Sequence, residues 1–248
     1  MRVERVTPYG GEAGKREQIR RAFDSIAPGY DRANRILSLG IDRSWRRRAL
    51  KLLRPYAPER ILDVATGTGD FALLAARRFP RARITGIDLS NGMLAVAREK
   101  ALRAGLADRI RFLEGDALDP PLGDERFDAV TVAYGVRNFE RVEAGLAALY
   151  ERVAPGGALL VVELTRPEHF PMRQLHALYL RHWIPRVGNR VTGDAAAYRY
   201  LSASIAEIHQ GEAMAELLRT AGFSRVRIKR YTFGVCTCYL AERGNTWR

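Results

Sequence analysis

The sequence predicts an α/β fold built on a mostly parallel, seven-stranded sheet with helices on both faces, and three observations predict it. Between residues 60 and 165 short β-rich runs alternate with helical stretches, and strand-helix-strand repetition closes as right-handed parallel units. Ala158-Leu159-Leu160-Val161-Val162 is continuously apolar, as a strand covered on both faces must be. Ile61-Leu62-Asp63-Val64 runs into Gly67-Thr68-Gly69 and then a helical pattern, the strand-turn-helix found at the ligand-binding edge of an open sheet.

Each element follows in order. Ile19, Phe23 and Ile26 stand at near-helical spacing before Pro28-Gly29 breaks the run. A second helix begins near Asp42 and passes Trp45, Leu50 and Leu53 to Arg54, where Pro55 and Pro58 end it. Strands are expected at 60–65, 83–88, 110–114, 127–133 and 158–164, with helices at 71–79, 93–104 and 142–153 between them. Residues 166–210 interrupt the alternation with Pro, His, Trp and Tyr, are helical over 172–183, and are expected to form an insertion before the last helix, over the ligand site. That helix covers 213–221, and strands at 226–229 and 235–241 close the sheet. The 248 residues suit one domain: a flexible amino terminus (1–14), a helical cap (15–55), a cofactor-binding core (60–165), the substrate-side insertion (166–210), and a closing helix with strands (211–248).

Composition narrows the classes. With 47% hydrophobic and 28% charged residues the chain reads as a globular protein, and it has no apolar run of the roughly 20 residues a membrane span needs. The amino terminus is charged and Gly-rich without an apolar h-region, so it is expected to fray, and the chain to stay in the cytoplasm. Cys236 and Cys238 lie two apart in a strand, where they share a face as packing residues and disfavour a disulfide. His169, His176, His182 and His209 have no cysteine partners and no tight ligand spacing, so no metal is expected. A net charge of +13 leaves a solvated exterior, an anionic membrane surface and a nucleic acid all open.

The motifs carry the chemistry. The turn after Val64 lacks the third glycine of a dinucleotide fingerprint, since Gly67 and Gly69 are followed by Phe71-Ala72, which disfavours NAD. Asp88 ends the second strand, where two ribose hydroxyls can donate to its carboxylate; Asp116 ends the third, beside Ala117, where it can accept from an adenine amino group. The plain alternative is an α/β protein in which Asp63 and Asp70 merely cap helices. In order and separation these elements resemble the motifs of class I S-adenosylmethionine methyltransferases, which implies a Rossmann-like core with S-adenosylmethionine held by Asp63, Gly67, Thr68, Gly69, Asp88, Asp116 and Ala117.

A narrower resemblance follows. Tyr30-Asp31-Arg32-Ala33-Asn34-Arg35-Ile36-Leu37-Ser38-Leu39-Gly40-Ile41-Asp42-Arg43-Ser44-Trp45 resembles the amino-terminal signature of the UbiE/MenG quinone C-methyltransferases, with Ala33 where Met is usual. Arg152-Val153-Ala154-Pro155-Gly156-Gly157-Ala158, continuing to Glu163-Leu164-Thr165-Arg166-Pro167, resembles the second signature, with Ala154 for Lys and Thr165 for Ser. Tyr134-Gly135-Val136-Arg137-Asn138-Phe139 is similar to the family's Gly-x-Arg-Asn element, and the likeness runs from Lys15 to the carboxyl end. Glu207-Ile208-His209-Gln210 departs from it, standing where members commonly carry Phe-Pro.

The resemblance implies C-methylation of a reduced prenylated quinol, with demethylmenaquinol first and a ubiquinone-type benzoquinol as the alternative. A quinone ring carbon is electron-poor, whereas an ionised quinol pushes density onto the carbon beside its oxygen, so the site needs a base or a cation at that hydroxyl. Arg137 is assigned to the phenolate or to orienting a water, and Asn138 to the ring oxygen; the bland alternative is that both tie down a loop. Tyr30, with Asp31, either closes over the cofactor or is a turn residue. His176 and His182 are weighed as bases against surface or core roles, and Tyr179, Leu180 and Trp183 as packing against a tail groove. Peripheral membrane association and self-association are left open, and no nucleic acid is expected. A sterol or phenol methyltransferase, an RNA methyltransferase and a scaffold that has lost catalysis are the competing readings.

Overall fold

A computed structural model describes residues 2–245. Its sheet has seven strands in the order β3-β2-β1-β4-β5-β7-β6: β1 Arg60–Val64, β2 Arg83–Asp88, β3 Ile110–Glu114, β4 Phe127–Ala133, β5 Val153–Leu164, β6 Arg225–Tyr231 and β7 Cys236–Glu242. The first five run parallel, and β7 lies antiparallel between β5 and β6. The reversal has a local cause, because the short turn between Tyr231 and Cys236 is far too brief for a parallel crossover.

Ten helices complete the described chain: α1 Lys15–Ile26, α2 Tyr30–Ser38, α3 Asp42–Leu50, α4 Asp70–Arg78, α5 Asn91–Arg103, α6 Val142–Arg152, α7 Met172–Leu178, α8 Ile184–Thr192, α9 Ala195–Glu207 and α10 Glu212–Thr220. Successive strand residues face opposite layers: Ile61 packs with Trp45, Leu50, Phe71 and Leu94 on one side, Leu62 with Phe127, Leu146 and Leu149 on the other. A third core joins the cap to the insertion through Ile26, Ala33, Leu37, Leu180, Ile184, Tyr198 and Ile205. Gly188 makes the close approach of α8 to α9, since a Cβ there would stand 2.1 Å from the Tyr198 ring.

Several expectations are corrected. The amino terminus is packed rather than frayed: Val3 is buried in the core, and its carbonyl accepts from the buried Lys15 Nζ at 2.7 Å. The cap contains an additional helix, α2, which ends at Leu39 with φ 50°, and α3 stops at Leu50 before tight turns carry the chain through Pro55. Neither Asp63 nor Asp70 caps a helix; side-chain caps are Ser90 on α5, whose Oγ accepts from Met93 N at 3.0 Å, and Asp194 on α9, whose Oδ1 accepts from Ala197 N at 2.9 Å. The insertion is helical well beyond 183, through α8 and α9. Cys236 and Cys238 are free, buried packing residues.

Candidate functional site

Strand order reverses between β1 and β4, and the crevice beyond their carboxyl ends is where an open sheet binds ligands. Both strand ends leave the sheet through non-glycine residues with positive φ, Ala65 at 52° and Tyr134 at 61°, a strain on the order of 1–3 kcal/mol each that clusters at functional sites. The turns nearly touch, because a Cβ on Gly135 would lie 2.7 Å from that of Ala65.

The crevice forms a narrow cleft of about 70 Å³ lined by Val64, Ala65, Asp88, Gly115, Asp116, Ala117 and Asn138, covered by Arg16, Ile19 and Phe23 of α1. Its lining continues into an open groove of about 520 Å³ that shares Arg16, Arg20, Leu89, Gly115, Asp116 and Glu140. Arg16 Nε donates to Asp116 Oδ2 at 2.8 Å across this seam. Asp88 accepts from Gly67 N at 2.8 Å and Ser90 N at 2.9 Å, and burial pushes its pKa up to about 6. Each Asp88 oxygen keeps a further lone pair, so a vicinal diol would relieve its desolvation. Gly67, at φ 56°, has open space where a side chain would stand, so a ligand can approach its backbone. These residues fit an adenosyl sulfonium: acidic for the ribose, apolar for a purine, open at the glycine.

Three residues expected at the cofactor, Asp63, Thr68 and Gly69, make their contacts within the protein. Asp63 is buried under the turn, its oxygens taken by the hydroxyls of Thr66 and Thr131 at 2.6 Å each. Burial raises its pKa to about 6. Thr131 is its register partner on β4, so the sheet itself directs Asp63 to that hydroxyl. Thr68 Oγ1 donates to Asp31 at 2.6 Å and accepts from Lys100 Nζ at 3.2 Å, and Lys100 also pairs with Asp31 and Asp70. That network ties α2 to the glycine turn. Gly69 packs inward, where a Cβ would meet Ala97 and Phe112 at 3.0 and 3.1 Å.

Beside the cleft lies a larger apolar cavity of about 400 Å³ between the cap and the insertion. Phe23, Tyr30 and Tyr134 line both spaces, so they form the wall between them. Arg137 lines the apolar cavity and Asn138 the cleft, which puts consecutive residues on either side of that junction. Arg137 Nη1 donates to Glu163 Oε1 at 2.6 Å and to the Tyr134 carbonyl, while its Nε has no partner. Burial works against its charge, but the Glu163 carboxylate together with Tyr200 and Tyr30 more than offsets this and the pKa is raised. Asn138 Oδ1 accepts from the Tyr200 hydroxyl at 3.0 Å.

His176 also lines the cavity, stacked on Tyr179 with ring centroids 6.1 Å apart, and burial lowers its pKa. His182 is exposed, as is Trp183, whereas Tyr179 and Leu180 form cavity wall. Sequence reasoning missed Asn34, Arg46, Tyr134, Tyr198 and Tyr200 as lining residues. Only Tyr134 carried a signal, as the residue between a buried strand and Gly135.

A switch-point crevice fitted to an adenosyl group, joined to a large apolar cavity, defines an S-adenosylmethionine-dependent methyltransferase. Residues 12–243 match the ubiE/COQ5 methyltransferase family, and the chain belongs to it. A demethylmenaquinone methyltransferase of Bacteroides fragilis is 45% identical over 97% of this chain and 98% of its own. One of Deinococcus radiodurans is 42% identical over 98% and 100%. A ubiquinone/menaquinone biosynthesis C-methyltransferase of Geotalea daltonii is 38% identical over 92% and 97%. Among solved structures, an S-adenosylmethionine-dependent methyltransferase of Thermotoga maritima shares the fold at TM-score 0.64 and 19% identity, over 90% of this chain and 99% of that one.

Proposed function

We propose that this enzyme methylates a ring carbon of a reduced prenylated quinol, demethylmenaquinol, and the observation that carries this is the apolar cavity meeting the cofactor cleft with the buried Arg137 guanidinium at the junction. Full-length likeness to demethylmenaquinone methyltransferases supports the acceptor. S-adenosylmethionine, when bound, supplies an electrophilic methyl on its sulfonium. Asp88 holds its ribose, Asp116 and Ala117 flank the purine, and Gly67 and Tyr30 close the space around it.

Arg137 stays protonated and stabilises the phenolate that forms when a quinol hydroxyl ionises, in a cavity where water does not screen the charge. Asn138, oriented by Tyr200, positions the ring oxygen. His176 is held neutral by its burial and can accept the hydroxyl proton. The ring carbon beside the oxygen bonds to the methyl as the carbon–sulfur bond breaks, its electron pair staying on sulfur. Loss of the ring proton then restores the aromatic quinol, so the net products are methylated quinol, a thioether and one proton.

We propose that the enzyme works at the cytoplasmic face of the membrane that holds its lipid substrate; no described helix is long and apolar enough to cross that membrane. The test is labelled methyl transfer onto demethylnaphthoquinol and onto a demethoxybenzoquinol, with and without reductant. Incorporation should favour the naphthoquinol and require reductant. Turnover of oxidised quinone without any reductant would refute the chemistry, because that ring has no hydroxyl to ionise.

A further inference from the structure

Leu39, Ile41 and Leu175 line the apolar cavity and are exposed to solvent at 81, 41 and 55%, so they mark its mouth. The segments around that mouth carry further bare apolar side chains: Phe170 at 80%, Phe233 at 78%, Leu178 at 57% and Trp183 at 52%. Each is within two residues of a cavity-lining position, Met172, Thr232, Tyr179 or Ile184. Among the described residues only Leu102, of the large exposed apolar side chains, lies elsewhere. An apolar patch gathered at one opening marks an interaction surface rather than ordinary surface scatter.

Its charge identifies the partner. From His169 to Gly193 the chain has no Asp or Glu, but it has Arg173, Arg181, Arg186 and Arg190. Arg46, which lines the cavity, also opens onto a separate groove of about 540 Å³ where Arg43, Arg47, Arg77, Arg103 and Lys100 surround a single carboxylate, Asp70. Among the described residues Arg43, Arg47 and Arg77 have no ion-pair partner. Exposed apolar side chains on a segment whose only charged residues are unpaired arginines match an anionic bilayer, with acyl chains for the former and headgroup phosphates for the latter. A second copy fits poorly, because a two-fold contact through this face would set the two arginine-bearing segments against each other.

We propose that this face seats on an anionic membrane with the cavity mouth in the acyl region, so that the quinol enters laterally and its tail stays in the lipid. Trp183 then sits at headgroup depth, where an indole's apolar body and polar N–H are both satisfied. The proposal deepens the quinol reading and rests on it.

The experiment uses the full chain with vesicles of phosphatidylglycerol and phosphatidylethanolamine, and with neutral phosphatidylcholine vesicles as control. Binding by co-sedimentation should favour the anionic vesicles at least tenfold and weaken with salt. Lipids brominated on the acyl chain should quench a tryptophan signal that is lost in Trp183→Phe. Leu178→Glu with Phe233→Glu, both exposed and outside the cavity lining, should reduce vesicle binding tenfold or more. The same variant should lose turnover of long-tailed quinol in vesicles while keeping turnover of a tail-less, water-soluble demethylquinol. Wild-type binding by this variant, equal binding to both vesicle types, or a dimer that these substitutions dissolve with no vesicle binding, would each overturn the proposal. Lost vesicle binding in the variant, with no quinol methylated by the wild type, would leave the membrane face standing and refute the acceptor instead.

Discussion

Replacing Arg137 by Ala should damage both folding and turnover, and the two effects can be separated through Glu163. The Arg137 and Glu163 side chains are 5 and 1% exposed and meet at 2.6 Å. Breaking such a pair costs about 3–5 kcal/mol, because it strands a buried charge. Here Glu163 keeps the backbone N–H groups of Leu164 at 2.9 Å and of residue 137 at 3.3 Å, which puts the loss near the lower end, about 3 kcal/mol. Adding Glu163→Gln removes the stranded charge and should return more than half of that stability. Turnover should behave differently. Losing a cation aimed at a developing phenolate costs about a hundredfold or more, and a neutral amide at 163 does nothing to replace it. Cofactor affinity should stay near wild type in both variants, since Arg137 faces the acceptor cavity. Urea denaturation, calorimetry with S-adenosylmethionine and single-turnover methyl transfer measure the three quantities. Recovery of turnover in step with stability in the double variant would mean that the guanidinium serves only the fold.

Asp88→Ala should weaken cofactor binding by about 1.5–3 kcal/mol, the scale for hydrogen bonds to a charged acceptor, and calorimetry reads this directly. In the wild type the ligand's hydroxyl donors favour the carboxylate, so affinity should be fully present above pH about 6 and fall as the pH drops below it; flat affinity from pH 5 to 7.5 would remove Asp88 from the ribose. His176→Phe should lower turnover by about a hundredfold or more if the imidazole takes the quinol proton. Because burial lowers the His176 pKa, wild-type turnover should hold through neutral pH and decline only below the ordinary imidazole range, and the variant should lose that acid limb; an unchanged pH profile would leave His176 as cavity wall. Gly188→Ala drives a methyl into the Tyr198 ring and should cost about 1–3 kcal/mol by overpacking, seen as a lower thermal midpoint; an unchanged midpoint would show that α8 and α9 can shift apart.

The core strands were legible because a doubly covered strand must be apolar on both sides: 83–88, 110–114 and 127–133 coincide with β2, β3 and β4. Asp88, Asp116 and Ala117 were legible for a related reason, since strand ends in an open parallel sheet have a known destination, the crevice. Helix α2 was not, because its short apolar face, Ala33 and Leu37, acquires meaning only against Leu180 and Ile184, which lie far along the chain.

The sequence by itself therefore determined the sheet, its switch-point crevice and the family, all of which depend on local periodicity and on turn chemistry at fixed spacing. Tertiary structure decided which polar side chains line the crevice. Register turned Asp63 toward Thr131, and an ion network took Thr68 to Asp31 and Lys100. It also assembled the apolar cavity, since Tyr30 from α2, Arg137 after β4, His176 from α7 and Tyr200 from α9 meet only when the cap and insertion fold over the sheet. Nothing local couples those segments; burial of their apolar faces in one shared core does.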